Sequence, residues 1–430
     1  MASDPVGVQG APDGRAGGGE PLSWADTARV VLPAFVITRL VIVLAGSVAV
    51  ALWEFDTDVA VYDPRDLTVG LGGLVDTLIG PFARWDTVWL LDVAEVLYPL
   101  TDVERTAFFP LFPLLVRAVA SPPALLGVPL QEALLLGGLV LSGACGFVGA
   151  MLVHRLAERE LGHRAAAASV WALLAFPGSL WLTAVYTEGL FLLLSAGCLL
   201  AVRDRRWVVA GALAALAAAT RSAGIILVVP ILVGAWEAWR ADPSRTRPEL
   251  PSVAVGAALV PLGLVAFVVA LVVAGHPWNT SFLMQQEWGR ETVGPWEGAW
   301  LGIRAATDGA WSILGVGAHL PARVAWQDVV LLLSLVVGVV ALLGAVRRLP
   351  LAYGAYAAGS ILLPLTTPVV GDGHPLMSLP RFLAVLFPLA IWAGWWALRG
   401  PRWRAPALLA TGLVLLAGTA GLTACWVFVA

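Results

Sequence analysis

The sequence predicts an all-α polytopic membrane protein with about eleven transmembrane helices, and three observations lead there. Its 430 residues are 59% hydrophobic and only 13% charged, with a mean hydropathy of +0.84, whereas a soluble domain of this size needs far more polar surface. Apolar runs recur from about Val30 to Ala430, many near the ~20 residues that cross a hydrocarbon core ~30 Å thick. Charges are largely confined to the gaps between these runs.

Composition also removes several classes of function. A net charge of −3 gives no basis for a nucleic-acid partner. Every basic residue is Arg, from which no function follows. Cys145, Cys198 and Cys425 each lie inside an apolar run with no CxxC or Cys/His spacing. Neither a disulfide framework nor a zinc site is indicated, and no metal ligands are assigned. The surplus of acids between the first two runs leaves a divalent ion open without demanding one.

Residues 1–22, rich in Gly, Pro and Asp, read as a disordered cytoplasmic tail, and no signal-peptide pattern precedes the first run. Residues 23–430 read as one transmembrane domain with spans near 28–53, 131–153, 165–183, 186–203, 207–220, 222–239, 252–274, 327–348, 351–370, 381–398 and 405–428. The stretch 207–239 is either one long tilted helix or two short ones broken near Arg221. It shows the one clear break in the sequence, and no internal repeat is visible.

Arginine placement sets the expected orientation. Arg155, Arg159 and Arg164, then Arg203, Arg205 and Arg206, then Arg240, Arg245 and Arg247, and finally Arg347, Arg348, Arg399, Arg402 and Arg404 fall in alternate gaps. Assigning these to the cytoplasm puts the N-terminus inside and requires 207–239 to turn back on itself. Two long loops, 54–130 and 275–326, and a short one from Val369 to Pro380 then lie outside the cell membrane. Long loops in a compact protein are usually functional, so chemistry is expected there. In the first loop, Phe108 to Ala120 reads as an interfacial or re-entrant helix. The stretch Trp85–Val96 reads as an amphipathic helix lying flat on the outer surface.

Arg84-Trp85-Asp86 opens that helix. The plainer reading of Asp86 is a helix cap; the sharper one is a general base at the lipid–water boundary, beside a cation. Asp92, Glu95 and Glu104 are nearby alternatives, more simply read as solvated charges. Asp86 and Asp92, six residues apart, fall on different helix faces. Within the apolar runs ionisable residues are few, and each needs a reason. Arg39 lies mid-run, Glu188 and Arg381 mark span ends, and Arg221 sits at the break, where burial would require an anionic partner such as Glu188 or a ligand phosphate. His374 reads as a turn residue. Most of the 20 tryptophans read as an interfacial aromatic belt, with some able to stack on a sugar.

Together these residues resemble a known family. Arg84-Trp85-Asp86, Tyr98 and Ala107-Phe108-Phe109-Pro110-Leu111-Phe112-Pro113 are similar to the first signature of the PIG-V-like mannosyltransferases, which include GPI mannosyltransferase II. Phe176-Pro177 with Tyr186-Thr187-Glu188-Gly189-Leu190-Phe191 resembles the second motif, Ala219-Thr220-Arg221-Ser222-Ala223-Gly224 the third, and Ser378-Leu379-Pro380-Arg381-Phe382 with Phe387-Pro388 the fourth. One departure is Leu97, where the family commonly has Gly. The resemblance implies a GT-C-type fold, an essential Asp in the first outer loop, polyprenyl-phosphate mannose as donor substrate, and transfer on the extracytoplasmic side. It makes Asp86 the general base. Arg84, Arg221, Arg381, Glu188 and Tyr186 become candidates for the donor phosphate and its surroundings; Trp85, Tyr98 and His374 become candidates for the substrate pocket. Expected partners are the bilayer, the lipid-linked donor and a glycolipid or protein acceptor, with no resident cofactor assigned. The rival readings are an enzyme of the same fold using another polyprenyl-phosphate sugar, a transporter or flippase with Arg221 and Glu188 along its path, and a lapsed homologue acting as a scaffold.

Overall fold

Each apolar run of the sequence becomes a helical segment, but the runs nearest the charged motifs are interrupted. The computed structural model describes residues 22–53, 62–69, 71–316, 320–371 and 373–429. The expected disordered tail, save Leu22, lies outside the described residues, as do Glu54, Asp56, Asp58 and Asp372.

In chain order the helices are α1 (Trp24–Leu52), α2 (Gly73–Ile79), α3 (Asp86–Val96), α4 (Leu111–Leu125), α5 (Leu130–Leu161), α6 (His163–Leu174), α7 (Glu188–Arg203), α8 (Trp207–Thr220), α9 (Val228–Ala241) and α10 (Pro243–Thr246). They continue with α11 (Leu250–Leu259), α12 (Leu262–Val273), α13 (Thr280–Glu287), α14 (Pro295–Ile313), α15 (Ala322–Arg348), α16 (Leu351–Leu365), α17 (Leu379–Ala384), α18 (Phe387–Leu398) and α19 (Arg404–Ala424). Among the described residues the only strand-like pairing is one antiparallel bridge between Arg290 and Val369. Helical segments Trp24–Leu52, Leu130–Leu161, Ser222–Ala241, Pro243–Val273, Ala322–Arg348 and Arg404–Ala424 are long and apolar enough to cross a membrane. The protein is an all-α, many-span membrane protein, the class that composition predicts.

In the core α5 packs on α7, α6 on α18, α1 on α19, and α8 on α7, α11 and α12. Small residues allow this close approach where lipid offers no hydrophobic drive between helices: a Cβ on Gly211 of α8 would stand 2.1 Å from the Gly256 carbonyl oxygen of α11.

The 207–239 stretch is a hairpin, not one helix. Helix α8 stops at Thr220, Arg221 is extended (φ −166°, ψ 154°), and a 3-10 turn, Ser222–Leu227, leads into α9. Gly224 makes the reversal possible, since a Cβ there would lie 2.2 Å from the Ala218 backbone nitrogen. Gly224→Ala is therefore expected to destabilise the protein by about 1–3 kcal/mol through overpacking, read as a lower unfolding midpoint in detergent; an unchanged midpoint would show that the turn opens freely.

Two further breaks were not visible as such in the sequence. The expected 165–183 span ends as α-helix at Leu174 and resumes as a 3-10 turn, Pro177–Leu182, because Pro177 has no N–H to continue the ladder. Arg39 of α1 finds its reason here: Nη2 donates to the Ser179 hydroxyl (2.9 Å) and to the freed Leu174 carbonyl (3.4 Å). The expected 381–398 span is likewise split into α17 and α18, with Pro388 in the first turn of α18. Irregular backbone at membrane depth is tolerated only where protein covers it, and all three breaks are packed against other helices.

The arginine-rich gaps share one face of the bundle. Arg159 pairs with Asp204, Arg203 with Glu160, Arg205 with Glu249, and Leu22 N–H reaches Glu158. Helix α7 begins at Glu188 and ends at Arg203, so Glu188 stands about 24 Å away, at the other end.

Helix α3 corrects an expectation. It is not an amphipathic helix with one face in solvent: Thr87, Val88, Leu90, Leu91, Asp92, Val93 and Ala94 are all buried, on every side of the helix, with α4 and α5 packed against it. Its acids are internal braces. Asp92 binds Arg65 and the buried Arg105, and Glu95 binds Arg65. Leu97 ends α3 at φ 60°, in the region that favours glycine, which is the physical reason a Gly suits that position.

Candidate active site

Four charged side chains from distant parts of the chain meet where the helices break. Asp86 is the first residue of α3, Glu188 the first of α7, Arg221 lies at the α8–α9 reversal, and Arg381 is in α17. Arg381 Nη1 donates to Asp86 Oδ2 at 2.5 Å across 295 residues, and its Nε lies 3.2 Å from Glu188 Oε1. Arg221 Nη1 donates to the same Glu188 oxygen at 2.9 Å. Phe382 is shared between the two guanidiniums, 4.8 Å from Arg221 and 5.4 Å from Arg381.

Local structure explains how Asp86 reaches this place. Trp85 has φ 58° and ψ −117°, a left-handed conformation that costs a bulky residue of order 1–3 kcal/mol and persists only where its surroundings hold it. Here Tyr186 holds it: its O–H donates to the Arg84 carbonyl (3.0 Å) and its oxygen accepts the Asp86 N–H (3.1 Å). Thr87 Oγ1 donates to the Val185 carbonyl, and Val185 N–H to the Phe82 carbonyl. The first motif is thus laced to the second, mainly by side-chain hydroxyls bonded to backbone groups. Asp86 is the first residue of α3 and Trp85 its N-cap; the Asp86 carboxylate faces Arg381.

The two carboxylates differ in access. The Glu188 side chain is 1% exposed and that of Asp86 is 30% exposed. Glu188 is therefore suited to holding two guanidiniums in place, whereas Asp86 can meet an incoming group.

The remaining predicted residues fall elsewhere. Arg84 faces away from Asp86: its Nε donates to the Ala424 carbonyl, its Nη1 to the Ala83 carbonyl, and it lies over the Trp426 ring. Burial pushes its guanidinium down to about 10. Trp85 packs among Tyr62, Trp426 and Phe428. Tyr98 donates to the Phe108 carbonyl at 2.7 Å and braces the first loop. His374 pairs with Asp328 of α15, Nδ1 to Oδ1 2.8 Å. Among the described residues no group of three or more His, Cys, Asp or Glu gathers in a metal-binding arrangement.

Sequence reading missed Arg290. It follows α13, and its Nη1 donates to the Thr367 carbonyl at 3.0 Å. Burial pushes its guanidinium down to about 10, with Arg381 and Arg221 adding to the push and Asp86 opposing it. No motif contains it; only its position as a lone cation after a short helix set it apart.

An apolar groove of about 1180 Å³ runs beside this constellation, walled by α6, α15 and α19 and including Trp171, Phe176, Pro177, Pro380, Leu415 and Phe428. None of the four charged residues lines it, but Pro380 directly precedes Arg381.

Broken helices, two part-buried arginines sharing one buried carboxylate, and a second, more accessible carboxylate define a polytopic membrane protein with a charged cluster at its helix breaks. The chain belongs to the mannosyltransferase (PIG-V) family, whose pattern it matches over residues 29–248, and it is a membrane glycosyltransferase. No curated protein sequence matches it. Among solved structures it is similar to ArnT from Cupriavidus metallidurans bound to undecaprenyl phosphate, at 14% identity over 93% of this chain and 76% of that one, TM-score 0.45. The apo ArnT structure gives 15% identity over 94% and 77%, TM-score 0.46. Oligosaccharyltransferase AglB from Archaeoglobus fulgidus, in complex with an inhibitory peptide and a dolichol-phosphate, gives 13% over 94% of this chain and 56% of that one, TM-score 0.45.

Proposed function

We propose that this chain transfers mannose, with inversion, from a polyprenyl-phosphate carrier to a hydroxyl of a lipid-linked or protein acceptor on the extracytoplasmic face, with Asp86 as general base. The observation that carries this is the Arg381–Asp86–Glu188–Arg221 constellation: an exposed carboxylate beside guanidiniums anchored by a buried one.

The acceptor oxygen attacks the anomeric carbon, its proton passes to Asp86, and the bond from that carbon to the phosphate oxygen breaks. The phosphate leaves with the electron pair and gains negative charge. Guanidiniums fixed before the reaction stabilise that charge without having to reorganise. In the structure Arg381 holds Asp86. A donor phosphate competing for Arg381 frees the carboxylate to take the proton, so the donor itself prepares the base. The apolar groove at Pro380 suits the polyprenyl tail, which needs no hydrogen-bond partner. The positive-inside rule supports a cytoplasmic position for the opposite, arginine-rich face.

The test uses the purified full chain in nanodiscs with labelled mannose. Transfer is expected from polyprenyl-phosphate mannose and not from a nucleotide-linked mannose, giving a product of inverted anomeric configuration. Transfer from the nucleotide donor alone, or passage of the lipid across vesicles with no glycosidic bond formed, would overturn the reading.

A further inference from the structure

Arg290 reaches the site on a different loop from every motif residue. Two positions before it, Trp288 packs on Phe108 (5.5 Å between ring centroids) and on Trp89 (6.4 Å), and Trp89 lies one turn beyond Asp86 on α3. On the other side, Glu291 N–H donates to the Pro368 carbonyl (3.1 Å), Val293 N–H to that of Thr366 (3.0 Å) and Val370 N–H to that of Gly289 (2.8 Å). The segment is thus clamped between the helix that carries Asp86 and the stretch that leads to Arg381. The Arg290 side chain is partly buried, and among the described residues it forms no ion pair.

Charge makes the arrangement informative. Arg221 and Arg381 pair with two carboxylates, Asp86 and Glu188, while Arg290, held near them by the Trp288–Trp89 contact and the bonds to residues 366–370, makes no ion pair among the described residues. A sugar phosphodiester carries one negative charge, and the phosphate monoester it leaves behind carries about −1.5 to −2 at neutral pH. The surplus cation matches the first, and its attraction grows as the second forms.

We propose that Arg290, supplied by the second outer loop, contacts the donor phosphate and holds it as it departs, while Arg221 stays tied to Glu188 and Arg381 exchanges Asp86 for the phosphate. This rests on reading the site as one for a lipid-linked phosphate. It adds a residue outside all four motifs and gives the second outer loop a part in the chemistry.

Equilibrium binding of farnesyl monophosphate and of farnesol to the full chain in detergent separates the two claims. The wild type is expected to prefer the phosphate. Arg290→Gln should shrink that preference about 10-fold, in the range of a hydrogen bond to a charged group, with farnesol binding unchanged; a merely structural role would weaken both ligands together. Arg290→Lys should keep most of the preference. If the wild type does not distinguish phosphate from alcohol, the lipid-phosphate reading fails and this inference with it. If Arg290→Gln distinguishes them as the wild type does, the role of Arg290 alone is overturned. Should Arg290→Gln bind neither, Arg290→Lys decides: retained preference supports the charge role, and equal binding of the two ligands refutes it.

Discussion

Asp86→Asn is expected to lower kcat by about 10²–10⁴-fold, the usual contribution of a general base, while the protein still folds. Asparagine keeps the shape of the side chain and loses its charge and its ability to accept a proton. The fold has little reason to suffer, because the Asp86 side chain is 30% exposed and Trp85, not Asp86, is the N-cap of α3. Arg381 keeps Glu188 as a partner. Donor affinity should hold or improve, since Arg381 no longer has to leave Asp86 to meet the phosphate. The measurement is single-turnover transfer together with donor binding and an unfolding curve. Turnover within a few-fold of wild type would remove Asp86 from the chemistry, and unfolding would make it a structural residue.

Glu188→Gln has the opposite signature. Its side chain is 1% exposed and serves two guanidiniums that are themselves 15% and 12% exposed. Removing one member of such a buried group strands the others and typically costs about 3–5 kcal/mol. The loss is expected first in the unfolding midpoint and yield, before any question of rate. Adding Arg221→Gln should restore part of the stability, because the neutral pair no longer leaves a second cation stranded. An unchanged midpoint in the single variant would mean that water or lipid already screens these charges. A double variant worse than the sum of its parts would mean that Arg221 has another essential partner.

These two outcomes separate residues that look alike in the sequence. Both carboxylates open a helix, both follow an aromatic residue within two positions, and both belong to a family motif. Nothing local says which is buried. Arg84 makes the same point from the other side. It stands two residues before Asp86, yet the left-handed turn at Trp85 sends the two side chains to separate clusters. The polar residues of α3 have the spacing of a solvent face. In the folded protein Asp92 and Glu95 answer Arg65 and Arg105, so ion pairs cover what would be a solvent face. Arg290 was out of reach for a further reason: its contact to Thr367 spans 77 residues and runs through backbone atoms, which leave no side-chain pattern to read.

What the sequence determined by itself was whatever composition and short spacing control. The cost of exposing apolar runs to water sets the membrane class and the approximate place of the helical segments, and the scarcity of charge within those runs marks Arg39, Glu188, Arg221 and Arg381 as residues needing partners. The four motifs, read in order, indicate the family. Tertiary structure alone decided which partners those residues take: Arg39 a helix break, Arg221 and Arg381 a shared carboxylate, Asp86 an arginine near the other end of the chain. The reason is that an ion pair acts over a few ångströms and depends steeply on burial, and for groups hundreds of residues apart both quantities are set only when the helices pack.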